Sequence, residues 1–140
     1  MTKSKTALWA ERTGTRTYIG RSSTGAEVTI APHGTEGAFS PSDLFALGLA
    51  ACNLMSADSV LARRLGDDFD ATVGVQTRLV GGQNRYGRAD VEIVVDLTNL
   101  STEERDQLVE LVHRAVERGC TVGRTLDAGM PQQLHVTSEG

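Results

Sequence analysis

Residues 40–56 read Ser40–Pro41–Ser42–Asp43–Leu44–Phe45–Ala46–Leu47–Gly48–Leu49–Ala50–Ala51–Cys52–Asn53–Leu54–Met55–Ser56. Ser40 is a helix N-cap type, Pro41 suits the first helical position, and Asp43 suits the positive end of a helix. The pattern predicts a helix from this cap to about Leu65, with Gly66 as its stop. It is apolar almost all round, so it is expected at the centre of the fold. The stretch from Leu44 to Ala62 contains Asn53 and Asp58, which argues for a buried helix and against a membrane span.

A second helix is signalled by Ser101 with Glu104 at the third helical position, a capping box. Leu108, Leu111, Val112, Ala115 and Val116 then fall on one face, and Gly119 ends the run. The remaining periodicity is that of strands. Val73, Val75, Thr77 and Leu79 alternate through 72–80; Val91, Ile93, Val95 and Leu97 alternate through 89–97. The glycine-rich segment 81–87 joins these two as a loose hairpin. Upstream, 7–10, 15–20 and 26–30 read as three short strands, and Leu134–Thr137 as a late one. Strand runs segregated in this way predict an α+β fold. With 140 residues, one domain over 1–140 is expected, with residues 1–5 frayed.

Composition narrows the function. The net charge of −4 argues against a nucleic-acid partner, and the arginines are scattered rather than clustered. No export signal opens the sequence, so a cytoplasmic location is expected, where disulfides are transient and catalytic. The chain carries two cysteines, Cys52 and Cys120. Neither these nor His33, His113 and His135 show metal-ligand spacing, and no metal or other cofactor is expected. No Gly-x-Ser-x-Gly elbow or glycine-rich phosphate loop is present. A thiol redox pair remains. An apolar helix raises a thiol pKa, and Cys52 lies too deep in its helix for much help from the dipole, so it needs a cation from elsewhere. Cys120 follows Gly119 and is positioned to cap a short helical turn, 121–126, beside Arg118 and Arg124. Local physics therefore picks Cys120 as the more acidic thiol. A buried cysteine that acts only as a small hydrophobe is the bland alternative for Cys52.

The segment from Ser40 to Cys52, together with Gly119–Cys120–Thr121–Val122, resembles the two signature segments of the OsmC/Ohr family of thiol peroxidases. The resemblance implies antiparallel sheets packed around a long central helix, in an intertwined homodimer. It implies that Cys52 is peroxidatic and Cys120 resolving. It also implies a catalytic arginine in a Gly-x-Arg setting on an early strand. Gly14–Thr15–Arg16 fits, making Arg16 the candidate, with Arg12 and Arg21 as fallbacks. The substrate would be an organic hydroperoxide or hydrogen peroxide, and the reductant an external dithiol, often a lipoyl group in this family.

The sequence also departs from the family pattern. Ser42 stands where the hydroperoxide branch has a glutamate that holds the arginine. Asp43 is about half a turn round the helix from Cys52, so it reads as a helix-start residue, and Glu36 is another possible partner for the arginine. Thr121 and Gly123 replace the usual proline and serine. These departures leave a second reading open: an OsmC-fold module that binds a small apolar ligand or senses redox stress without efficient turnover.

Overall fold

The computed structural model describes residues 7–139, and the expected fraying of residues 1–5 lies outside them. The fold is α+β, in the order β1 (Leu8–Gly14), β2 (Thr17–Ser22), β3 (Glu27–Ile30), α1 (Pro41–Leu65), β4 (Ala71–Leu79), β5 (Tyr86–Val95), α2 (Thr102–Gly119) and α3 (Thr121–Ala128). It divides into two compact units, Met1–Leu47 and Gly48–Gly140.

The first unit holds the antiparallel sheet β1-β2-β3. Gly14 pairs with Thr17, so Thr15 and Arg16 form a two-residue turn. Arg16 sits there at φ 55°, a left-handed conformation costly for a residue with a Cβ. The sequence predicts a strand beginning at Thr15; the chain instead turns until Thr17, because Gly14 and Thr17 close the hairpin around it. At the start of α1, Ser40 Oγ accepts from the Asp43 N–H (3.0 Å), and Asp43 Oδ2 accepts from the Ser40 N–H (3.2 Å). This is a capping box with aspartate in the acidic position.

The second unit holds most of α1, the β4-β5 hairpin, α2 and α3. Val73 pairs with Ile93 and Val75 with Val91, which brings the apolar alternation of both strands to one face. The hairpin closes earlier than expected, with β5 beginning at Tyr86 and the Val80 N–H donating to Arg85 O. The capping box at Ser101 and Glu104 forms as the sequence predicts, and α2 buries Leu108. Leu108 meets Ala57 and Leu61 of α1 in the centre of this unit, surrounded by Leu54, Val95, Val112 and Val116.

Two expectations change. By length and hydropathy α1 is able to cross a membrane, but Ala57 and Leu61 pack as in a core helix. Its burial is also one-sided. Phe45, Leu47 and Met55 are exposed, Met55 at 76%, so the apolar circumference of the helix exceeds what this chain covers. The late strand expected at Leu134–Thr137 does not form; the described residues from 130 on carry no strand. A strand needs a paired edge, and Leu134 and Val136 stay 86% and 89% exposed with no ladder partner.

Candidate active site

Cys52 is carried near the middle of α1, and the chain brings Cys120 to it by a helix junction. α2 ends at Gly119, which lies against Ser56 of α1: a Cβ built on Gly119 would stand 3.6 Å from Ser56 Oγ. The chain then breaks at Cys120, whose extended backbone (φ −81°, ψ 96°) serves as C-cap of α2 and N-cap of α3. α3 starts against Leu49, whose Cδ1 would be 3.8 Å from a Cβ on Gly123. Cys52 lies between Leu49 and Ser56 in α1, so this junction passes over it.

Cys120 is 1% exposed, and its sulfur has two donors. The Gly123 N–H and the Asn53 side-chain Nδ2 each lie 3.3 Å from Sγ. The Gly123 contact is that of a capping side chain, with sulfur in the place of the usual oxygen. It also depends on Gly123 lacking a side chain, since a Cβ there would approach Cys120 Sγ to 3.3 Å.

The acidity of the two thiols reverses the order expected from local sequence. Cys52 is the lowered thiol. The largest cause is the backbone N–H of Val122; partial burial opposes it, and the Cys120 thiol, the Thr121 N–H and the Ser56 hydroxyl add to the lowering. Cys120 is the raised thiol. Burial is the main cause, offset in part by the Gly123 N–H, with the neighbouring Cys52 pushing it further up and Asn53 opposing. The physical reason is tertiary. The first N–H groups of α3 have no intrahelical acceptor and carry its positive end, and they serve Cys52 as well as the cap residue. Cys52 thus draws on the end of another helix and not on that of its own.

The other candidates are carried by other elements. Arg16 belongs to the N-terminal unit, in the β1–β2 turn rather than on a strand. Arg21, on β2, is held by two carboxylates: Glu11 at 3.1 Å and Glu27 at 2.8 Å. Asp43 is occupied by the helix cap and by His33 Nδ1 at 3.5 Å, and its carboxyl is lowered first by the Ser40 backbone N–H. It therefore acts as a helix-start residue, as its position predicts. His113 lines an apolar cavity of about 250 Å³ with Leu61, Val91, Ile93 and Leu108, and Asn53 reaches the same cavity. Sequence reasoning missed Asn53 and the backbone of Val122. Asn53 carried a signal, a polar side chain beside Cys52 in an otherwise apolar run; the Val122 N–H carried none.

The sequence profile described as OsmC-like protein matches residues 34–135 of this chain. The chain belongs to the OsmC-like family. Curated relatives of this OsmC-like protein in Mycobacterium tuberculosis and Mycobacterium bovis are 45% identical over 135 residues, covering 96% of this chain and 98% of theirs; both are described as uncharacterized. Among solved structures, an OsmC-like protein from Mycoplasma pneumoniae superposes with a TM-score of 0.66 at 17% identity, covering 90% of this chain and 89% of its own. The organic hydroperoxide resistance protein OhrB of Bacillus subtilis gives a TM-score of 0.55 at 25% identity, covering 86% and 90%. The OsmC-like α+β architecture, with two antiparallel sheets and a long helix, is common to them.

Proposed function

We propose that this OsmC-like protein is a two-cysteine thiol peroxidase. The observation that carries the reading is the setting of Cys52: a partly accessible thiol, lowered by the first N–H groups of α3, with the Cys120 thiol as its neighbour. In the first step the Cys52 thiolate attacks the terminal oxygen of a hydroperoxide. The O–O bond breaks, the alkoxide leaves and takes a proton, and Cys52 becomes a sulfenic acid. Cys120 then attacks that sulfur as a thiolate and expels hydroxide, giving a disulfide. An external dithiol, for which a lipoyl-type group is the candidate, supplies the two electrons that restore both thiols. No metal or organic cofactor enters these steps. A cytoplasmic location suits a disulfide that must be reduced at each turnover.

The family likeness to a hydroperoxide resistance protein supports an organic hydroperoxide as substrate. The apolar cavity lined by Leu61, Val91, Ile93 and Leu108 offers room for an apolar chain in the same unit. Arg16 remains the proposed cation that polarises the peroxide. A homodimer is proposed from the exposed apolar residues of α1, because a second copy is a natural cover for Phe45, Leu47 and Met55. Light scattering at micromolar concentration is expected to give twice the 14.9 kDa chain mass.

The same cavity favours a second reading, a binding module for a small apolar ligand whose cysteines do not turn over. Rapid mixing of the reduced protein with cumene hydroperoxide, followed by thiol counting, separates the two. The peroxidase reading expects loss of both thiols at one equivalent of peroxide. Retention of both thiols, with saturable binding of the hydroperoxide, favours the binding module.

A further inference from the structure

Asn53 follows Cys52 directly but is turned toward the other cysteine. Its Nδ2 lies 3.1 Å from Leu49 O and 3.3 Å from Cys120 Sγ. Leu49 O is a carbonyl and only accepts, so the amide nitrogen must face it, and the orientation of the side chain is fixed. One N–H of the amide is spent on holding the side chain to its own helix. The second is thereby aimed at Cys120 Sγ, where it converges with the Gly123 N–H. Two N–H donors on one buried sulfur exceed what a neutral thiol needs. They match a sulfur that must carry negative charge.

We propose that Asn53 is a positioning residue for the resolving step: its amide, with the Gly123 N–H, holds Cys120 Sγ in place and stabilises the charge on that sulfur as it attacks oxidised Cys52. This rests on the peroxidase reading and deepens it. Resolution requires the proton of Cys120 to leave, in a site that burial makes hostile to charge. Cys120 lines a pocket with Asn53 from α1, Glu117 from the end of α2, Arg124 and Asp127 from α3, and the apolar β5 residues Ala89 and Val91; Cys52 is its neighbouring thiol. While Cys52 is a thiolate, its charge opposes ionisation of Cys120. Peroxide converts Cys52 to a neutral sulfenic acid and removes that opposition. The two donors then act on Cys120 unopposed by that charge, so the resolving thiolate is released only after the first step is complete.

The test separates the two steps in the full chain. Cys52 sulfenic acid is trapped with dimedone and the Cys52–Cys120 disulfide is followed by mass spectrometry after one equivalent of cumene hydroperoxide. Asn53→Ala is expected to leave sulfenic acid formation within about twofold of wild type. Disulfide formation should slow by about tenfold or more, the effect of losing one hydrogen bond to a charged group. Asn53→Asp keeps the shape but replaces the donor with a carboxylate, and should slow disulfide formation further. A second readout uses thiolate absorbance against pH in a Cys52→Ser background, where Asn53→Ala should move the Cys120 titration upward. Equal disulfide rates in wild type and both variants, an equal fall in both steps, or an unmoved Cys120 titration would overturn the proposal. If wild type itself forms no Cys52 sulfenic acid, the peroxidase reading fails and the resolving role falls with it, while the titration still decides whether Asn53 stabilises the Cys120 thiolate.

Discussion

Replacing Val122 by proline removes the N–H that does most to lower Cys52. Val122 is the second residue of α3, and the first main-chain bond of that helix runs from the Arg124 N–H to Cys120 O at 2.9 Å. The Val122 N–H therefore has no acceptor within its helix, and proline in the first turn breaks no helical bond. The companion change Thr121→Pro is milder. It sits at the first helical position behind an extended Cys120 (ψ 96°), as a residue before proline must be, and removes a smaller contribution to Cys52. A hydrogen bond to a charged group contributes about 1.5–3 kcal/mol, so Val122→Pro should lower Cys52 reactivity at pH 7 by about tenfold or more. The sign follows from the thiolate being the reactive form. A lowered thiol stays reactive as pH falls, so loss of the donor moves the reactivity profile toward higher pH. The assay is the rate of iodoacetamide labelling of Cys52 against pH, with thermal melting as the check on folding. The order wild type, Thr121→Pro, Val122→Pro is expected at neutral pH, converging at high pH. Superimposable profiles from a folded Val122→Pro protein would refute the claim that α3 activates Cys52.

Three further outcomes follow from the same structure. Leu108→Ala, at a side chain 1% exposed between Ala57 and Leu61, should cost about 2–5 kcal/mol in urea denaturation; a loss below about 1 kcal/mol would mean that this is not the core of the unit. Glu104 is lowered first by the Ser101 backbone N–H, so its contribution is full above the ordinary carboxylate range and lost as pH falls through its folded value. Ser101→Ala should cost about 1 kcal/mol near neutral pH, and Glu104→Gln should flatten the acid limb of the melting-temperature profile; an unchanged limb would count against it. Arg16→Ala should slow peroxide attack on Cys52 while iodoacetamide labelling stays near wild type, since the helix end and not the arginine lowers this thiol; unchanged peroxide kinetics would pass the role to Arg21 or Arg12.

The helices were legible because their ends are written locally. Ser40 with Asp43 and Ser101 with Glu104 satisfy N–H groups within three residues of themselves, and both caps form. The β4-β5 pairing was legible for a similar reason, in that the alternation at Val73 and Ile93 has only one face to bury. The Thr15–Arg16 turn was less legible, since a bulky residue stands at the left-handed position where glycine or asparagine is usual. The strand at Leu134–Thr137 was overread because alternation shows what a segment would pair with, not whether an edge is present. The two cysteines were identified, but their acidities were inverted. That error has a definite source: which sulfur faces the free N–H groups of α3 depends on how α2 and α3 pass over α1 between Leu49 and Ser56.

The most direct test of the central claim is mass spectrometry of the reduced protein after one equivalent of cumene hydroperoxide, with and without dimedone. A single disulfide between Cys52 and Cys120 within each chain is expected, with a dimedone adduct confined to Cys52 in a Cys120→Ser variant. An adduct on Cys120 in the Cys52→Ser variant at a comparable rate, or two free thiols persisting in wild type, would contradict it.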